Sequence, residues 1–169
     1  MRRAEPRNQL TPVAMGVYVH FPWCLRKCPY CDFASLPAER REIPHDAYAR
    51  AVVAELARRA EVLGEHRLES VFFGGGTPSL WHADALGSVL AAITRTFEPA
   101  AELEVTVECN PSTDYESARA LADRGVNRFS IGVQSLDAER LASAACTTSS
   151  QASARCATRS PAGAASAPT

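Results

Sequence analysis

No stretch of this chain approaches the roughly 20 consecutive apolar residues that cross a bilayer as a helix. The opening "MRRAEPRNQLTP" carries arginines but lacks the apolar centre of a secretory signal. Charge of neither sign is in excess: 18 Lys and Arg stand against 19 Asp and Glu. Neither a nucleic acid nor an acidic membrane surface is therefore expected as a partner. The dinucleotide pattern Gly-x-Gly-x-x-Gly is also missing. With these classes set aside, a cytoplasmic protein is the expectation. In that compartment clustered thiols serve more often as metal ligands or redox centres than as disulfides.

Bulky apolar side chains run out at residue 142. The segment "ASAACTTSSQASARCATRSPAGAASAPT" is dominated by Ala, Ser and Thr and holds no Val, Ile, Leu, Met or aromatic residue. Such a segment cannot bury enough surface to offset its ordering entropy, and it is read as disordered. The chain of 169 residues thus divides into a flexible leader over 1–14, one folded core over 15–141 and a low-complexity tail over 142–169. The break interrupts a helical pattern, which suggests a shifted reading frame.

Within the core, strand and helix patterns alternate. "VYVHF" (17–21), "SVFF" (70–73), "LEVTVE" (103–108) and "RFSIGVQS" (128–135) read as strands. In the last two, Leu103, Val105, Val107 and then Phe129, Ile131, Val133 form the inward set. The spacing predicts a helix over 46–64, with Asp46 as N-cap, an apolar stripe of Val52, Leu56, Ala60 and Leu63, and Gly64 as a stop. A second helix over 83–97 places Leu86, Val89, Leu90, Ile93 and Phe97 on one face, and a third covers 115–125. This alternation indicates an α/β fold of parallel βα units, four in number, the fourth incomplete. Chemistry in such folds gathers beyond the carboxyl ends of the strands. At those ends stand His20 and Cys24, Gly74 to Thr77, Glu108 with Asn110, and Gln134.

Three of the six cysteines fall in "CLRKCPYC", as Cys24-x3-Cys28-x2-Cys31. Three thiolates suit an iron–sulfur cluster that leaves one iron open to a small ligand. A zinc site with His20 as fourth ligand is an alternative, and a redox pair of Cys28 and Cys31 is another. Cys109 is read as a small buried hydrophobe, while Cys146 and Cys156 lie in the tail. "GGGTPS" (74–79) permits close backbone approach to a ligand, although a plain turn explains it equally well.

Taken together and in order, "YVHFPWCLRKCPYCDF", "GGGTPS", "TVECNP" and "GVQS" resemble the radical S-adenosylmethionine (SAM) enzymes, and among them the oxygen-independent coproporphyrinogen III oxidase family. The resemblance covers residues 15–141 and implies about the first four βα units of a partial (βα) barrel. It implies that Cys24, Cys28 and Cys31 ligate a [4Fe–4S] cluster whose fourth iron is chelated by the methionine end of SAM. By the same resemblance Tyr18 and His20 lie over the cofactor, Tyr30 contacts the adenine, and Gly75, Gly76, Thr77 and Pro78 border the methionine moiety. Glu108 would meet the ammonium group or ribose, and Gln134 would reach the cofactor from the fourth strand. The cofactor supplies radical chemistry and the protein supplies orientation.

One departure separates two branches of the family. True oxidases carry a further cysteine two positions beyond the triplet, where this chain has Phe33; they also have an N-terminal extension. The "CPYCDF" form is similar to the oxidase-like haem-chaperone branch, which implies haem or porphyrin as ligand, a haemoprotein acceptor and an electron donor. Family members run on through further barrel units and a C-terminal domain. A fragment of four units is expected to expose an apolar interior and a parallel edge strand, and turnover by it is not expected. His45, His66 and His82 fall in no motif and are read as surface side chains.

Overall fold

The computed structural model describes residues 13–63 and 66–137. Residues 1–12 of the 1–14 leader, the helix stop at Gly64, the last core residues 138–141 and the tail with Cys146 and Cys156 lie outside these residues, while Val13 and Ala14 of the leader open the first strand. The elements in chain order are β1 (Val13–Phe21), β2 (Trp23–Cys24), β3 (Leu36–Pro37), α1 (His45–Leu63), β4 (His66–Gly75), α2 (Ala83–Thr96), β5 (Glu98–Cys109), α3 (Tyr115–Ala122) and β6 (Arg128–Ile131). Short 3-10 turns precede α1 at Arg40–Glu42 and α2 at Pro78–Leu80.

β1, β4, β5 and β6 form one sheet in that spatial order, and every pairing is parallel. Parallel neighbours need crossover connections, which α1, α2 and α3 provide. The α/β fold with successive βα units, read from the alternation of patterns, is therefore present. β2 and β3 make a separate two-residue parallel pair, Trp23 with Leu36 and Cys24 with Pro37. This small pair pins both ends of the cysteine loop.

Strand residues alternate between two faces. Val19 and Phe21, Val71 and Phe73, and Val105 and Val107 point to the helices, where Leu86, Val89 and Ile93 of α2 complete the core. Phe21, Phe73, Leu86, Val89 and Val107 are fully buried, each contributing about 1.5–3 kcal/mol through lost apolar exposure. All five residues read as the inward stripe of the second helix are buried. The first helix differs. It starts at His45, so Asp46 sits in its first turn rather than at the N-cap. Only His45 and Ala49 of α1 are buried, Leu63 is 44% exposed, and Val52, Leu56 and Ala60 pack at the margin.

The opposite sheet face overturns the expectation of an apolar interior. Here stand Glu104, Thr106, Glu108, Arg128 and Ser130 as well as Tyr18 and Phe72. The Thr106 hydroxyl donates to Glu104 Oε1 at 2.9 Å and receives Arg128 Nη1 at 3.3 Å. Strand β6 is also shorter than its alternating pattern, ending at Ile131, which leaves Ile131 and Val133 exposed. Its free edge meets no further strand among the described residues. Pattern alone cannot extend a strand whose backbone lacks a second neighbour.

His45 is not the surface side chain it was read as: its residue is 8% exposed. Its Nδ1 accepts the His82 backbone N–H at 3.1 Å, its ring stacks on the His82 ring at 3.6 Å, and its carbonyl accepts Trp81 Nε1–H at 3.1 Å. Burial first, and then the neighbouring His82, hold the His45 imidazole below the usual histidine range. The unfolded chain thus binds a proton at a pH where the folded chain does not. The stability from this contact is complete above about pH 6.5 and is lost as pH falls through the depressed value. The melting temperature should therefore drop on acidification from about pH 7 to 5, and drop less in His45→Asn, whose Oδ1 keeps the acceptor without titrating. Parallel melting curves for the two proteins would refute this.

Candidate functional site

The loop after β1 is built around Cys24, which lies in β2, is buried and directs its thiol at the Leu36 carbonyl 3.7 Å away. Leu36 N–H returns to Pro22 O at 2.7 Å and Ala38 N–H to Cys24 O at 2.9 Å, closing the loop at its base. At its tip Cys31 N–H bonds Cys28 O at 3.0 Å. Pro29 occupies the second position of this turn, where its fixed φ is preferred. The turn carries Cys28 and Cys31 together, and both are half-buried.

Beside the loop runs the glycine triplet at the end of β4. Gly76 N–H bonds Phe21 O at 2.7 Å and Thr77 N–H bonds Trp23 O at 2.8 Å. The approach is close enough to demand glycine. A Cβ on Gly76 would fall 2.4 Å from Trp23 O, and one on Gly75, whose φ is +115°, would meet the His20 ring at 2.7 Å. Gly75 N–H is captured by Glu108 Oε2 at 3.0 Å, which fixes the carboxylate from the end of β5.

These pieces enclose a cavity of about 700 Å³. Cys24, Cys28, Cys31, Tyr30, Gly75, Gly76, Thr77, Glu108 and Gln134 all line it. Three other nominated residues stand off the wall. Pro78 is fully buried and opens the 3-10 turn beneath it. Tyr18 and His20 form a relay behind it: the Tyr18 hydroxyl donates to His20 Nδ1 at 3.0 Å, and His20 Nε2–H donates to Ala34 O at 2.7 Å. The Ala34 carbonyl can only accept, which places a proton on His20 Nε2. Partial burial and then the Glu108 carboxylate raise the Tyr18 phenol above its ordinary value, so it remains a donor.

Cavity residues that the motifs did not single out include Arg26, Lys27, Asp32 and Ser130, and Cys109 also reaches the wall. The basic pair between the first two thiols was the available signal for Arg26 and Lys27. Cys109 is buried as expected, yet continues the strand to the cavity floor. Burial, its largest influence, pushes its thiol up to about 11, so it stays protonated near neutrality.

The donor set fits a cluster better than a single ion. Tetrahedral zinc with sulfurs at 2.3 Å needs its thiolates about 3.8 Å apart. Among the described residues no three His, Cys, Asp or Glu side chains gather as one ion would require. Both nitrogens of His20 are already engaged, which removes the fourth ligand of the Cys3His reading. A cluster takes each thiolate on a different iron and needs no fourth protein ligand, which suits a set of three thiols.

The sequence profile of the Radical SAM superfamily matches residues 18–153. The chain belongs to that superfamily. Within it, the chain is 40% identical over 134 residues to the heme chaperone HemW of Escherichia coli, covering 75% of this chain and 34% of that protein. It is 42% identical over 124 residues to the mitochondrial radical S-adenosyl methionine domain-containing protein 1 of Bos taurus, covering 72% and 27%. Coproporphyrinogen III oxidase (HemN) from Escherichia coli superposes with a TM-score of 0.68 over 79% of this chain and 30% of that one, at 24% identity, which shows a shared fold. The chain thus spans about a third of the length of the first of these relatives. No helix among the described residues is long and apolar enough to cross a membrane.

Because Gly76 faces the Trp23 backbone rather than a flexible side chain, Gly76→Ala forces the two strand ends apart. The expected loss of stability is about 1–3 kcal/mol, measured by denaturant unfolding. A Gly76→Ala variant as stable as the parent would show that the triplet is not packed this way.

Proposed function

We propose that this chain binds a [4Fe–4S] cluster through Cys24, Cys28 and Cys31 and SAM in the adjoining cavity, as the N-terminal part of a haem chaperone of the oxidase-like branch. The observation that supports this most directly is the shared wall: three thiols, a glycine-lined backbone edge and the Glu108 carboxylate face one cavity. A cluster held by Cys24, Cys28 and Cys31 would supply one-electron reducing chemistry to the cofactor. The protein's own part is placement. Glu108, held by Gly75 N–H, offers carboxylate oxygens to a cationic ammonium or to ribose hydroxyls. Gly75, Gly76 and Thr77 bring main chain rather than side chains to the methionine end. Tyr30 presents an aromatic ring that is half exposed at the mouth, suited to stacking on an adenine.

Haem or porphyrin as ligand, a haemoprotein as acceptor and an electron donor are part of this proposal for the longer protein. A second reading, oxidative decarboxylation of coproporphyrinogen III, is disfavoured by Phe33. Its side chain, 67% exposed on the loop, stands where an oxidase-type protein has a further thiol.

Anaerobically reconstituted protein should hold close to four irons and four sulfides per chain. Its reduced-state electron paramagnetic resonance spectrum should change on adding SAM. Replacing any one of the three loop cysteines with alanine should lower iron to background, whereas Cys109→Ala should leave it unchanged. One tightly held zinc with no bound iron would sink the proposal.

A further inference from the structure

The returning limb of the cysteine loop offers three successive carbonyls, those of Phe33, Ala34 and Ser35, and the Lys27 and His20 side chains between them reach all three, Phe33 O also accepting Ser35 N–H at 2.7 Å. The Lys27 ammonium donates to Phe33 O at 3.1 Å and to Ser35 O at 3.3 Å. His20 Nε2 donates to the carbonyl between them, Ala34 O, at 2.7 Å. His20 is itself fixed from two sides, by the Tyr18 hydroxyl at its ring and by the Tyr48 hydroxyl, which donates to its carbonyl. The result is a two-armed clasp. One arm reaches from strand β1, and the other comes from within the loop.

Lys27 immediately precedes Cys28 on the outgoing limb, and Phe33 lies two residues beyond Cys31 on the returning limb. The Lys27 bridge therefore ties together the two limbs that carry the second and third thiols. Lys27 also lines the same cavity as those thiols. We propose that Lys27 is a positioning residue for the cluster: it fixes the separation of Cys28 and Cys31 and keeps a positive charge beside the three thiolates. This rests on the cluster reading above. The chemistry selects lysine. An ammonium has three donors and no acceptor, so it can bridge two carbonyls at once, and its charge strengthens both bonds. A neutral side chain of similar length with a single donor would hold one limb only.

The test compares Lys27→Met, which keeps the stem and removes every donor, with Lys27→Arg, which keeps charge and several donors, both in the full chain. The first measurement is hydrogen–deuterium exchange of the metal-free protein. In the Met variant the amides of Cys31, Ser35 and Leu36 should exchange about tenfold faster while those of β4 and α2 hold their parent rates. The second is the rate at which a chelator strips iron from the reconstituted protein. It should rise about 10–100-fold in the Met variant, the range seen when residues supporting a metal ligand are lost. The Arg variant should return both quantities toward the parent.

Parent-like exchange in the Met variant overturns the clasp. Faster exchange with unchanged iron loss overturns its role in holding the cluster. If the parent itself takes up no iron, the cluster reading fails, and the exchange data still decide whether Lys27 orders the loop. Should the Met variant fail to fold, Lys27→Gln is carried through the same two measurements.

Discussion

The pairing of the glycine triplet with the end of β1 is the constraint on which the site depends. Gly76 to Phe21 and Thr77 to Trp23 are main-chain bonds, made only because no Cβ stands between the two segments. They set the height of the cysteine loop, since Trp23 and Cys24 belong to the short strand that the loop leaves and rejoins. The same glycines free a backbone N–H for Glu108, so the carboxylate from the third strand is referenced to the second. Three strand ends thereby share one network. A side chain at Gly75 or Gly76 would separate them and displace a cavity wall without touching any thiol.

Much of this was legible in the sequence, for identifiable reasons. The β-branched and aromatic alternation at Val105 and Val107, and the complete apolar stripe from Leu86 to Phe97, report burial that a single face can satisfy. The local thiol spacing sets which side chains can meet, and a turn around Pro29 then brings Cys28 and Cys31 together. What pattern could not give was the partner set of polar groups. Nothing in "YVHF" shows that His20 spends its ring nitrogens on Tyr18 and on a carbonyl 14 residues away. His45 was misread for a related reason: its burial depends on Trp81 and His82, more than 30 residues further along the chain. The polar inner face was missed because Glu104, Thr106 and Arg128 look like ordinary solvent-facing positions until they are found satisfying one another across strands.

That inner face changes how the open sheet should be regarded. A sheet of four parallel strands exposing Val, Ile and Leu on its uncovered face would be expected to collapse or associate. Here that face carries a carboxylate, a hydroxyl and a guanidinium in mutual contact, with Tyr18 stacked on Phe72 at their margin. The Arg128 guanidinium and Glu104 carboxylate are half exposed and satisfy the buried Thr106 hydroxyl, so the sheet tolerates an open side at less cost than an apolar interior would. The edges at β1 and β6, which pair with no further strand among the described residues, are the remaining liability, since an unpaired strand backbone can accept another strand.

The site is correspondingly graded in rigidity. Its first wall, from the thiol loop to the glycine triplet, is tied by main-chain bonds to the buried core through Phe21, at 0% exposure, and Phe73, also at 0%. The second wall, from Glu108 to Asn110, leaves a strand whose inward residues are equally buried. Gln134 is different. It follows the end of β6 in an exposed segment whose link to the sheet is the bond from Gly132 N–H to Cys109 O at 3.1 Å. Binding energy from that side must first order the segment that supplies it. On the proposed reading, retention of a cluster would depend on the first wall, whereas affinity for a cofactor that spans the whole cavity would depend on how firmly the segment after β6 is held.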